Sequence, residues 1–189
     1  MSAWIGPAIV AAVISSLISA LGWFVNYHIN IRLEGRRRRE KIRDFQIGLR
    51  AEIRSEIHDL ESHDHDRIYA QVEQRYRDVA GYSVTVPHMV RHVIFETVAG
   101  ELQILPAAVI DPLIVYTRQR DTVERFVEDL RSEAFRAKQP EMQLQMYRDY
   151  LNLRQHLLVL AREAKRALDA ALAEDGAEVS SPVGDRSGR

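Results

Sequence analysis

The chain has 189 residues, with 26 basic and 27 acidic side chains and no cysteine. The missing cysteine excludes a disulfide framework and any thiolate chemistry. The formal charge of −1 hides a split: residues 32–54 carry nine basic and four acidic side chains, whereas residues 55–189 carry 17 basic against 23 acidic.

Residues 3–28 contain no Asp, Glu, Lys or Arg. A hydrocarbon core about 30 Å thick takes roughly 20 apolar helical residues. Trp4 and Trp23 would stand about 28 Å apart on one helix, at the depth indole rings prefer, with Tyr27 as a third ring at the inner boundary. Pro7 falls in the first turn, where its missing N–H costs nothing. The run therefore predicts one transmembrane helix over residues 1–28. A cleaved signal is the wrong pattern, because nothing basic precedes the run and bulky Trp23 and Phe24 follow it. Arg32, Arg36, Arg37, Arg38, Arg39 and Lys41 come next. Such an excess predicts the N-terminus outside, residues 29–189 in the cytoplasm, and attraction to anionic lipid headgroups. That role accounts for the arginine run, so no nucleic-acid partner is expected.

The helix is expected to continue past Asn30 as a charged stem over residues 29–62, with a narrow seam of Ile42, Phe45, Leu49, Ile53, Ile57 and Leu60. A second helix is predicted over 66–79 through Ile68, Val72, Tyr76 and Val79, ending at Ala80-Gly81. Residues 82–86 are β-branched and extended, and Pro87 is expected to start a helix through Met89, Val90, Val93, Ile94 and Val98. Pro106 opens another, with the seam Val109, Leu113, Tyr116, Val123, Val127, Leu130 and Ala134, interrupted by Arg120. Pro112 either kinks it or follows an Asp111 cap. Pro140 marks the last helix, with the seam Met142, Met146, Tyr150, Leu153, Leu157, Leu160, Ala164, Leu168 and Leu172. The last two form a helical hairpin against which the stem packs. Residues 63–174 are thus a helical bundle domain, and residues 175–189 a disordered tail. The fold class is all-α.

Four features bear on function. Ala8, Ala12, Ser16 and Ala20 repeat every fourth residue, a small-residue stripe that lets helices approach closely and points to self-association through the span. His58, His63, His65 and Asp66 belong to a histidine–acid cluster with the ligand types of zinc and iron. The cluster lacks the His-Glu-x-x-His spacing, and reads as a solvated loop ending the stem unless His88 and His92 fold onto it. The basic collar is the third feature. Tyr69, Tyr76, Tyr82, Tyr116, Tyr147 and Tyr150 are the fourth, and read as core with the hydroxyl reaching water. There is no glycine-rich phosphate loop, no Gly-x-Ser-x-Gly elbow and no cysteine nucleophile, so no catalytic residue and no cofactor are expected.

The order of span, arginine collar and charged stem is followed by Phe95, Gly100-Glu101-Leu102, Ile104-Leu105-Pro106 and Val115-Tyr116. This arrangement resembles small single-span bacterial inner-membrane proteins of unknown function. The resemblance implies the membrane setting and makes Leu105-Pro106 a turn between packed helices. The expectation is a non-enzymatic, membrane-anchored helical interaction module with an as yet unidentified protein partner. Its alternatives are a membrane-tethered, metal-dependent hydrolase using the His58–Asp66 cluster, and a component of a transport, secretion or lysis assembly.

Overall fold

The computed structural model describes the backbone of residues 5–180 and the side chains of Ser15 and residues 19–177. All regular structure among the described residues is helical. The elements are α1 (Ile5–Glu61), α2 (His65–Asp78), α3 (Val93–Val98), a 3-10 turn (Ala99–Ile104), α4 (Ala107–Arg131), α5 (Glu133–Arg136) and α6 (Pro140–Ser180). The chain divides into two compact units, residues 1–42 and residues 43–189.

In the second unit α4 and α6 form the expected hairpin, closed by the short α5. The Ser132 hydroxyl accepts the Phe135 N–H at 3.1 Å, which caps α5 and turns the buried Phe135 ring under the corner. Val109, Leu113, Tyr116, Val123, Val127 and Leu130 of α4 are buried, and so are Leu157, Leu160, Ala161, Ala164 and Leu168 of α6. Each large aliphatic side chain buried in this way contributes roughly 1.5–3 kcal/mol. Leu49, Ile53, Ile57 and Leu60 of α1 complete the core, whereas Ile42 and Phe45 of the expected seam are half-buried and Gln46 is buried beside them.

Several expectations need correction. Pro87 does not start a helix: residues 82–92 are non-helical, and α3 begins only at Val93. Val84, Thr85 and Val86 favour extended backbone, and the N–H that Pro87 lacks breaks any ladder there. Side chains satisfy this backbone instead, as described below. Pro112 lies inside an unbroken α4, without a fresh start at Asp111. Arg120 is not a gap in the seam; it is itself buried. At the start of α6 the core-facing residues are Gln143, Tyr147 and Tyr150, while Met142 stays 54% exposed. The reason is polar. The Gln143 side-chain oxygen accepts from the Tyr76 and Ser83 hydroxyls at 2.8 and 2.9 Å, and its NH2 donates to the Arg136 and Lys138 carbonyls. All four bonds make the buried amide tolerable. Finally, α6 extends to Ser180, past the point at Glu174 where the tail was expected to lose structure. Ala170, Ala171, Leu172, Ala173 and Glu174 are strong helix formers that carry the helix through.

Two glycines are used specifically. Gly81, at φ +74°, reverses the chain after α2 in a conformation that side chains disfavour. At Gly48 a Cβ would lie 3.0 Å from Ile94 Cγ2, so its absence lets α3 approach α1.

Among the described residues no helix is long and apolar enough to cross a membrane. Of the charge-free run, Trp4 lies outside the described residues, and so do the side chains of Pro7, Ala8, Ala12 and Ser16.

Candidate functional site

Glu52, Glu56 and Asp59 follow one another at steps of four and three, which places three carboxylates on one face of α1. Each is committed to a different element. Glu52 accepts the Ile94 and Phe95 N–H groups at 3.1 and 2.9 Å, capping α3 from outside its own sequence neighbourhood. Asp59 pairs with Arg154 of α6 at 3.1 Å. Glu56 is the most enclosed of the three, with 10% of its side chain exposed. Its Oε2 lies 3.0 Å from His92 Nε2 and also accepts the Tyr116 hydroxyl, while Oε1 lies 3.5 Å from Arg120 Nε.

Arg120 links this cluster to the backbone. It donates to the Val90 carbonyl and lies 3.5 Å from Glu124. Three turns further along α4, Arg131 donates to the Val86 carbonyl at 2.6 Å. The Val84 N–H donates to the Tyr76 hydroxyl at 3.2 Å. Residues 84–92 thus form a strap whose backbone is pinned by side chains from α2 and α4, with His92 tied to α1. Val84 and Val86 are buried, but Pro87, His88, Val90 and Arg91 are exposed, so beyond Val86 polar anchors replace apolar packing.

The electrostatics follow from burial. Desolvation pushes the Glu56 carboxyl upward, but the bonds from His92 and Tyr116 and the charges of His92 and Arg120 outweigh it, leaving Glu56 below the ordinary carboxylate range. Burial raises the Tyr116 phenol, and the neighbouring Glu56 charge raises it further, so it stays protonated and donates. The carboxylate is therefore ionised, with its Oε2 held by both His92 and Tyr116. That arrangement ties the strap and α4 to α1.

Between the strap and α1 opens a cleft of about 790 Å³, within the usual size range of small-molecule pockets. Glu56 and His92 are in its wall, with Met89, Val90 and Ile94 supplying apolar surface and Arg154 and Tyr150 closing the α6 side. His58 and His63 reach the same cleft. His65 and Asp66 instead border a separate cavity of about 220 Å³ with Tyr69 and Arg148. The histidine–acid cluster is thus divided by the turn between α1 and α2. Asp64 caps α2 by accepting the Arg67 N–H, and a His63 ring nitrogen lies 3.0 Å from the Asp59 carbonyl. Among the described residues no group of three or more His, Asp or Glu side chains is placed to hold a metal ion. Burial, with help from the Arg154 charge, lowers the His65 imidazole below its ordinary value.

Of the other expected residues, Ala20, Trp23, Tyr27, Arg32, Arg36, Arg37, Arg38, Arg39 and Lys41 are exposed on α1, and the Trp23 and Tyr27 rings stack at 5.5 Å. The tyrosines divide: Tyr116, Tyr147 and Tyr150 are buried, while the Tyr69 ring carries the Arg148 guanidinium at 4.2 Å. Sequence reasoning missed Glu56, His92, Arg120 and Gln143 as a structural set. The one available signal was Arg120, a lone charge at a core position of a helical seam, which demands a buried acceptor. No protein-family model, no curated protein and no solved structure matches the chain.

Proposed function

We propose that this chain is a single-pass membrane protein of a bacterial inner membrane, acting as a non-enzymatic helical interaction module with its N-terminus outside and residues 29–189 in the cytoplasm. The observation that carries this reading is the charge-free run 3–28, followed at once by Arg32, Arg36, Arg37, Arg38, Arg39 and Lys41. Exposure supports it. Leu21, Trp23, Phe24 and Val25 are 53–71% exposed on α1, a surface that water disfavours and lipid or another helix accepts. Self-association through Ala8, Ala12, Ser16 and Ala20 fits a span whose small residues allow close backbone approach. The cytoplasmic bundle offers the cleft between strap and stem as its surface for a protein partner.

Sedimentation and protease protection test the reading together. The full chain should pellet with membranes, resist carbonate extraction, and keep its C-terminal residues intact when protease is added outside sealed cells. Recovery in the aqueous fraction without detergent would refute the anchoring. Cleavage of the C-terminal residues from outside would refute the orientation.

A further inference from the structure

Beyond Trp23 the apolar residues of α1 change period. Val25, Tyr27, Ile29, Ile31 and Leu33 alternate with Asn26, His28, Asn30 and Arg32. Alternation of this kind suits a half-buried strand, yet the segment is helical. At about 100° per residue, the alternation winds into two apolar stripes in place of one. Val25, Ile29 and Leu33 form the first, and Phe24, Tyr27 and Ile31 the second, on roughly the opposite side of the helix. Polar stripes separate them, Asn26, Asn30 and Glu34 along one side and His28 and Arg32 along the other. Both apolar stripes are equally uncovered: Val25, Ile29 and Leu33 are 45–53% exposed, Phe24, Tyr27 and Ile31 49–56%.

Lipid does not match this surface. On the anchoring reading, on which this inference rests, Trp23 marks the inner boundary. Leu33 would then stand about 15 Å beyond it along the helix. Two asparagines one turn apart, a histidine and an arginine would also be costly in hydrocarbon. A dimer does not match either, because a two-fold pair covers one face and leaves the other bare. Rings of three or four copies need contact faces only about 60° or 90° apart. Faces nearly opposite each other call for a neighbour on each side.

We propose that residues 24–33 assemble with further copies of the same chain, the Val25–Ile29–Leu33 stripe of one packing against the Phe24–Tyr27–Ile31 stripe of the next. The result is a head-to-tail ring or array of many parallel helices. Parallel packing sets the Asn26 and Asn30 stripe of each copy beside that of its neighbour. Carboxamides are self-complementary, each with a donor and an acceptor, so the polar side of the contact satisfies itself. The His28 and Arg32 stripes line the other side.

The chain contains no cysteine, so introduced thiols report contacts without background. Ile29→Cys lies on one stripe and Ile31→Cys on the other, at positions 48% and 49% exposed, where substitution leaves the fold unaffected. Oxidation of the full chain in native membranes should give a ladder extending past the dimer for the double variant. Each single variant should stay monomeric. A dimer from either single variant, with no ladder from the double, would overturn the proposal in favour of a two-fold pair. No cross-link from the double variant, in membranes with which the chain sediments, would overturn it in favour of lipid. If the chain does not sediment with membranes, the anchoring reading fails on its own account. A ladder from the soluble double variant would still support the stripe-to-stripe contact, and its absence there would end that proposal as well.

Discussion

Two stretches of α1, both rich in large apolar residues, meet opposite fates. In residues 46–60, Leu49, Ile53, Ile57 and Leu60 are 0–8% exposed and only Ile47, off their stripe, is 40% exposed; in residues 21–33, every large apolar side chain from Leu21 to Leu33 is 45–71% exposed. Spacing makes the difference. Steps of three and four gather one stripe that the α4–α6 hairpin can cover, whereas steps of two spread the same chemistry over opposite sides. Apolar content sets how much surface needs covering, and its period sets how many neighbours that takes.

The sharpest way to break this contrast is at Glu56, where the buried stretch of α1 depends on charge. Glu56→Leu leaves Arg120 and His92 buried without their acceptor and should cost about 3–5 kcal/mol in urea unfolding. Adding Arg120→Met should restore most of that loss, because it removes the stranded cation. Acid titration carries the same signature. The folded-state value of Glu56 lies below the ordinary 4.5, so its contribution is present above that pH and is lost as the pH falls through the lowered value. Stability measured from pH 5 downward should therefore decline less steeply in Glu56→Gln than in the parent chain.

A smaller but still large effect separates the two kinds of leucine and isoleucine. Leu168→Ala removes a side chain with 0% exposure and should destabilise the bundle by about 2–5 kcal/mol. Ile29→Ala should leave bundle unfolding within about 0.5 kcal/mol. If both variants shift the melt equally, the division of α1 into a covered and an uncovered stretch is wrong.

Next comes Gln143→Leu. It strands the Tyr76 and Ser83 hydroxyls and should cost about 1–3 kcal/mol. Faster hydrogen exchange at the Val84 amide should accompany the loss, because Tyr76 holds that N–H. The smallest expected effect compares glycines within α1. Gly35→Ala meets nothing within 4 Å and should stabilise the helix by about 0.5–1 kcal/mol. Gly48→Ala should gain less or nothing, because its Cβ must displace Ile94. Helix content by circular dichroism and thermal midpoints of the pair would show it.

Much of the architecture was legible before any coordinates. Steps of three and four located the seams of α1, α4 and the later part of α6; Pro106 and Pro140 marked helix starts; and Ala80-Gly81 marked the end of α2. The strap was legible only at its start, where the β-branched residues 84–86 read as extended. Residues 87–92 begin a helical apolar pattern, and their path is held by side chains far along the chain, Arg120 on the Val90 carbonyl and Glu56 on His92. The candidate site shares that obscurity. The clustered histidines at 58–65 drew notice because they are neighbours in sequence, while the buried set joins residues 56, 92, 116 and 120 from three elements.

The sequence by itself determined where charge is missing, where it piles up, and which helical faces are apolar, because each of these is a local property read at a period of two or of 3.6. Tertiary structure alone decided that Arg120 is core, that Gln143 displaces Met142 from the inside of α6, and that Glu56 stays ionised in the interior. A buried polar group is stable only beside its partner. In this chain those partners lie dozens of residues away, where no local pattern points to them.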